Sequence, residues 1–324
     1  MPQPDKTHSN RRQFLQQLTS GGTLAGLSMA GLASPVLIGG EMTFADEPNA
    51  ATQPKPASAE SPWKIGCFTR PFSDFTYAET LNAIASAGFG SVGLMTVKLP
   101  TASVTLADAT AAQAETIGKQ AADHGLAVSA TYYGGPPVRQ SLAEGIAALR
   151  QLIENCRRAG CTSVVLGGTG EAAIFDRYFE AIRSVCDLAA ENGVELVIKP
   201  HGGLNATGPQ CREIVRNVDH PAFRMWYDPG NIFYYSEGKL DPLDDVASVA
   251  GLITGMCVKD FRPPQEVSIN PGSGQVRFAE LMSRLQAGGF RGGPLVVETL
   301  APGDLATVTA NALAAREFLA GLVA

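Results

Sequence analysis

Residues 196–203 read Leu-Val-Ile-Lys-Pro-His-Gly-Gly, an apolar run that stops at a cation, a proline, an imidazole and two glycines. On a strand, positions i and i+2 share a face, so Lys199 and His201 point the same way. Gly202 and Gly203 then let the chain turn without a Cβ penalty. Three later apolar segments end similarly, at Trp226-Tyr-Asp228, Met256-Cys-Val-Lys259-Asp260 and Leu295-Val-Val-Glu298, and an earlier one ends Cys67-Phe-Thr-Arg70-Pro. These residue types define a chemistry. A glutamate such as Glu298, once burial raises its pKa toward neutrality, removes a proton from carbon next to a carbonyl. Lys199 can stabilise the resulting enolate, act as the opposing acid or, third in rank, form a Schiff base with a keto-sugar. His201 is an acid/base partner, a metal ligand or a strand-end residue bonded to backbone. Asp228 is a ligand, a group that orients His201 or Lys199, or a helix cap before Pro229. Asn231, Lys259, Asp260 and Arg70 read as substrate-binding groups. The plainer readings are a Pro-Gly-Asn turn for Asn231 and a rim charge pair for Lys259 and Asp260.

The elements that must position these groups alternate. Short apolar runs at 63–68, 91–95, 126–132, 162–167, 194–199, 223–228, 253–259 and 294–299 predict strands. Helical patterns fit between and after them at about 76–87, 108–124, 141–159, 171–192, 209–217, 242–250, 277–288 and 303–322. Several helices run into a glycine stop, as at Ala87-Gly88, His124-Gly125, Ala159-Gly160 and Asn192-Gly193. Strands alternating with helices pair in parallel, and eight such units in one domain predict a (β/α)8 TIM barrel of the α/β class. In such a barrel, polar groups at the carboxyl ends of successive strands form the catalytic mouth. An open doubly wound sheet is the runner-up, but no G-x-G-x-x-G follows the first strand. The loop Gly167-Gly-Thr-Gly-Glu171 reads as room for a sugar face rather than a phosphate cradle.

The 324 residues carry a formal charge of −6, and no basic run follows the N-terminal segment, which argues against a nucleic-acid surface. The six cysteines form no C-x-x-C pair and no zinc spacing, although Cys156 and Cys161 are close enough to pair in an oxidising compartment. The N-terminus reads as an address. Asn10-Arg-Arg-Gln-Phe-Leu-Gln16 resembles the twin-arginine export motif, and no charge follows from Gln13 to Gly40. Residues 1–45 are therefore expected to be a signal segment, 46–62 a disordered linker rich in Pro and Ala, and 63–324 the folded domain. Export of this kind implies a periplasmic protein, with membrane contact only through an uncleaved signal.

On the strand-end motifs, residues 63–322 resemble the xylose-isomerase-like TIM barrels grouped as sugar phosphate isomerases and epimerases. The resemblance implies that strand five ends Glu-x-His, strand six Asp-x-x-His, strand seven His-x-Lys-Asp and strand eight Glu, with two glutamates, an aspartate and a histidine around one divalent metal. Here Glu298, Asp228, His201, Lys259 and Asp260 match. Lys199 stands at the first glutamate, Cys257 at the strand-seven histidine and Asn231 at the strand-six histidine. The turn Asn270-Pro-Gly-Ser-Gly274 also resembles the family's Pro-Gly-x-Gly. Two alternatives follow. A divalent ion (Mn, Zn, Mg or Co) sits on His201, Asp228 and Glu298, or Lys199 replaces it as the local cation. No nucleotide cofactor is expected.

The resemblance implies an isomerase, epimerase or lyase acting by proton abstraction next to a carbonyl. If the protein is exported, an unphosphorylated sugar, keto-sugar or cyclitol is the expected substrate, since phosphorylated sugars are mainly cytoplasmic. Family members often form homo-oligomers, so that assembly is implied too. The opposing reading is a non-catalytic carbohydrate-binding barrel that has lost the metal quartet. A metal-dependent abasic-site nuclease would need several histidines at the mouth and a basic face, and this acidic chain has four histidines in all.

Overall fold

A computed structural model describes residues 61–324. The expected signal segment, and all but the last two residues of the expected linker, lie outside the described residues. Eight strands form a closed barrel: β1 Trp63–Phe68, β2 Ser91–Leu94, β3 Ala127–Tyr133, β4 Ser163–Leu166, β5 Glu195–Ile198, β6 Phe223–Tyr227, β7 Ile253–Val258 and β8 Gly293–Val297. Every neighbouring pair is parallel, and β1 closes the ring by pairing with both β2 and β8. The expected (β/α)8 barrel is the observed fold. A two-stranded antiparallel ribbon, Val97–Lys98 with Ser103–Val104, follows β2 and was not anticipated.

The helices are α1 Tyr77–Ser86, α2 Ala111–Asp123, α3 Leu142–Ala159, α4 Phe175–Arg183, α5 Cys186–Glu191, α6 Gly208–Val218, α7 Pro229–Tyr235, α8 Pro242–Asp245, α9 Phe278–Ala287 and α10 Leu305–Leu322. Threonine capping boxes start α1 and α2, and Gly160 ends α3 in the left-handed conformation. The single helix expected over 171–192 is divided. A 3-10 turn, Ala172–Ile174, leads into α4, and the chain breaks before α5, where the Ser184 hydroxyl bonds back to the Glu180 carbonyl at 2.8 Å. Helix α7 was not among the expected helical segments, although the reading of Asp228 as a cap before Pro229 allows for it. Asp228 caps it through the Asn231 N–H, and Pro229 at the first position gives up no needed donor. Among the described residues no helix is long and apolar enough to cross a membrane.

The barrel interior carries one apolar layer from seven of the strands: Phe68, Ala130, Val165, Val197, Trp226, Cys257 and Val296, all fully buried. On β2 the place is taken by Gly93, where any Cβ would run into the Phe68 ring. Gly255 makes the same room for the Trp226 indole. This layer fixes the site, because side chains alternate along a strand. Two residues beyond Phe68, Ala130, Val197, Trp226, Cys257 and Val296 stand Arg70, Tyr132, Lys199, Asp228, Lys259 and Glu298. The apolar plug becomes the floor, and the next inward position of six strands becomes the mouth. All six cysteines are buried and free.

Candidate functional site

Lys199, Asp228, Lys259 and Glu298 each follow the last residue of their strand, and all four are buried. The Lys199 ammonium lies 2.9 Å from Asp228 Oδ2 and bonds directly to Glu298 Oε2. Lys259 Nζ lies 2.6 Å from Glu298 Oε1, 3.4 Å from Asp228 Oδ2 and 3.0 Å from Asn231 Oδ1. Arg70, in a 3-10 turn after β1, reaches down to Glu298 Oε1 at 2.8 Å while its side chain stays 44% exposed. The Asn231 backbone N–H donates to Asp228 Oδ1 at 3.0 Å. All four carboxylate oxygens therefore hold at least one donor, and three cations face two anions.

These contacts set the charge states. Burial pushes Glu298 up, but Lys199 and Lys259 outweigh it and hold the carboxyl well below the usual range. The sequence expected burial to raise it, and the structure corrects that expectation because two ammonium groups lie within bonding distance. Burial pulls Lys199 down, yet Asp228 and Glu298 more than compensate and keep it an ammonium. An ammonium held this way is no nucleophile, which counts against the Schiff base. Burial raises the Cys257 thiol well above its ordinary value.

His201 stands apart from this cluster. Its Nε2 is 3.3 Å from the Tyr132 hydroxyl, and its ring packs between Tyr132 and Tyr235, with centroids 5.8 and 5.5 Å away. Burial first, then Lys199 and Lys259, lower its pKa to about 4. The metal set expected from Asp228, Glu298 and His201 is thus corrected. The potential ligand atoms that converge within 4.8 Å belong to Asp228, Cys257 and Glu298.

This donor set does not fit a divalent ion. Both carboxylates are already matched by ammonium groups, and the Lys199 ammonium bridges them. Beside one ammonium at about 4 Å, a doubly charged ion meets roughly 8 kcal/mol of repulsion at an effective dielectric of 20.

Two of the expected substrate-binding residues have other work. Asp260 is fully buried, and its carboxylate accepts the N–H groups of Phe261 (2.8 Å), Gly272 (2.9 Å), Gly274 (2.8 Å) and Val276 (3.0 Å). With its oxygens filled by backbone donors it anchors the Pro-Gly-x-Gly turn, in place of the substrate contact expected from the sequence. Asn231 donates to the Pro200 carbonyl at 2.7 Å and accepts from Lys259, so it ties β5 to β7. Of the four, Arg70 alone keeps substantial exposure, while Lys259 is buried and bonded to Glu298, Asn231 and Asp228. Asn205 joins neighbouring strand ends by donating to Gly167 O and Lys199 O, both at 2.9 Å. Sequence reasoning missed Tyr132 and Tyr235. Tyr132 was open to discovery, since it sits two residues past Ala130 on the inward face. Tyr235 lies at the end of the unexpected α7, 38% exposed.

A buried charge cluster at the carboxyl end of a closed parallel barrel lies where barrels of this architecture carry their active sites, and the comparisons narrow the family. Residues 81–321 match the xylose isomerase-like TIM barrel family, and the chain belongs to it. No curated protein matches the chain. Among solved structures, a D-psicose 3-epimerase from Clostridium cellulolyticum H10, determined with D-tagatose, is 15% identical with a TM-score of 0.64, covering 80% of this chain and 99% of its own. A xylose isomerase-like TIM barrel protein from Mycobacterium smegmatis, in complex with magnesium, is 19% identical with a TM-score of 0.63, over 82% and 100% of the two chains. The 3-keto-D-glucoside 4-epimerase of E. coli is 17% identical with a TM-score of 0.58, over 80% and 98%. At these identities the likeness is one of fold.

Proposed function

We propose that the barrel mouth binds an unphosphorylated sugar, keto-sugar or cyclitol and moves a proton on carbon next to its carbonyl, as an isomerase, epimerase or lyase. The observation that carries this reading is the convergence of Lys199 and Lys259 on a buried, ionised Glu298. An ionised carboxylate is the form that accepts a proton. When a ligand carbonyl takes a Lys259 N–H, that donor leaves Glu298, whose basicity rises while the ammonium stabilises the charge growing on the carbonyl oxygen. Arg70 supports the same oxygen from the rim. Tyr132, His201 and Tyr235 form an aromatic wall of the kind a sugar ring packs against. Epimerases of D-psicose and of L-ribulose share the fold and lend support.

The test is deuterium incorporation from D2O into D-psicose, D-tagatose and D-fructose, wild type beside Glu298→Gln. Exchange in the wild type, reduced at least ~100-fold in the variant, is expected. Sugar binding without any carbon exchange favours the second reading, a non-catalytic carbohydrate-binding barrel, to which the fully served carboxylate oxygens lend weight. Export to the periplasm belongs to the same proposal and rests on the twin-arginine-like motif. Its test is cell fractionation of Arg11→Lys/Arg12→Lys beside the wild type, with the double variant retained in the cytoplasm.

A further inference from the structure

One relative of the same fold was determined in complex with magnesium. In this chain the ligand-type atoms of Asp228, Cys257 and Glu298 still converge within 4.8 Å, all buried. Yet the one atom that touches both carboxylates from β5 is a nitrogen. Lys199 Nζ bonds Asp228 Oδ2 and Glu298 Oε2, and it lies 5.6 Å from the centroid of the Tyr132 ring. Two ammonium hydrogens are spent on carboxylates and the third side is covered by a π face. The group is 0% exposed, so it offers nothing to a ligand. A buried cation that bonds two anions and faces no solvent does the electrostatic work of a bound ion.

We infer that Lys199 is the site's built-in cation, bridging the two carboxylates in place of a metal, and that the site binds no catalytic divalent ion. The substitution is local. Asp228 and Glu298 keep their strand-end positions, and the neighbouring cations Lys259 and Arg70 reach Glu298 from the other side. One consequence concerns the ligand. A metal can draw two vicinal substrate oxygens into its own shell, whereas here the donors at the mouth are separate groups that follow β1 and β7, the partly exposed Arg70 and the buried Lys259, which meets a ligand only by giving up a bond to Glu298. The site therefore recognises a single polarised oxygen and does not depend on chelation. A second consequence is reversibility. Glutamate at position 199 is shorter than lysine and opposite in charge, so Lys199→Glu removes the internal cation and adds a third carboxylate around the vacated space.

This inference rests on the site of the proposed function but on no sugar being bound, so its failure is distinguishable from failure of the catalytic reading. The full chain, freed of chelator, is dialysed against Mn2+ or Co2+ at about 1 mM and analysed for metal content and melting temperature. The wild type is expected to hold no stoichiometric ion and to melt at the same temperature with and without it. Lys199→Glu is expected to take up an ion per chain and gain roughly 5 °C or more on loading. A stoichiometric ion in the wild type, or a folded Lys199→Glu that binds none, overturns the inference. A second measurement needs no variant. Mn2+ broadens nearby nuclei, so the His201 ring resonances of the wild type stay sharp if the site excludes the ion, and saturable broadening at one equivalent overturns the inference even if Lys199→Glu fails to fold.

Discussion

Lys259 Nζ and Glu298 Oε1 meet at 2.6 Å from neighbouring strands whose preceding residues, Val258 and Val297, are direct register partners. The barrel's own hydrogen bonding sets this ion pair. The Glu298 N–H donates to the Val258 carbonyl at 2.9 Å, so neither side chain can drift along its strand without breaking the ladder. Both residues are buried, and removal of one partner leaves the other charge without its full complement. Lys259→Met is expected to cost about 3 kcal/mol in urea unfolding. The exposed pair Lys119–Asp123 is the control, and Lys119→Met there is expected to cost under about 0.5 kcal/mol. Equal losses at the two sites would mean that the mouth cluster adds nothing to stability.

His201 sits below its ordinary pKa, at about 4 against 6.5, through burial and the repulsion of Lys199 and Lys259. The folded chain therefore prefers the neutral ring. Stability from this group is complete above pH 6.5 and is lost as pH falls from 6.5 to about 4. An NMR titration of the His201 ring is expected to show a midpoint near 4. Lys199→Met is expected to move that midpoint up, because one repelling charge is gone. A midpoint of 6.5 in the wild type would contradict the placement of the ring against these cations.

Much of this site could be read along the strands, because one rule, alternation, carries it. Once Val197, Trp226, Cys257 and Val296 face inward, Lys199, Asp228, Lys259 and Glu298 must do so as well. The same rule gives Tyr132 from Ala130, and it argues against Asp260, which neighbours the inward Lys259 and so points out of the barrel into its own loop. What the strands do not encode is distance between them. Whether burial or the lysines decide the pKa of Glu298 depends on two ammonium groups 99 and 39 positions away in the chain. The place of His201 depends on Tyr235, carried by a helix whose only sequence signal was Asp228-Pro229.

Asp245 titrates in the opposite sense to His201. Burial outweighs its bonds to the Gly208 N–H and the Tyr227 hydroxyl and raises its pKa from 3.8 to about 6. The folded chain holds this proton more tightly than the unfolded one. Stability from Asp245 is complete below pH 3.8 and is lost as pH rises through 6, a change of about 3 kcal/mol. The two groups oppose each other across the same acid range. His201→Gln is therefore expected to expose a gain in stability on acidification from pH 6 to 4, and Asp245→Asn a loss, both read from urea midpoints at several pH values. Parallel curves for the two variants would show that neither group titrates as its surroundings dictate.

Tyr235 separates ligand binding from folding. It is one of two large apolar residues that stay exposed among the described ones, yet its ring lies 5.5 Å from His201 and closes over Gly202, whose φ of 80° and crowded Cβ position leave no room for a side chain. An exposed aromatic tilted against His201 at the mouth contributes little to the core, so Tyr235→Ala is expected to change unfolding free energy by less than about 0.5 kcal/mol. If the wall formed with His201 and Tyr132 is where a sugar ring packs, the same change removes roughly 1 kcal/mol of ring contact and weakens sugar binding about fivefold by calorimetry. Tyr235→Phe, which keeps the ring, is expected to retain most of the affinity. Unaltered binding by Tyr235→Ala would place the ligand on the Arg70 side of the mouth, away from the aromatic wall.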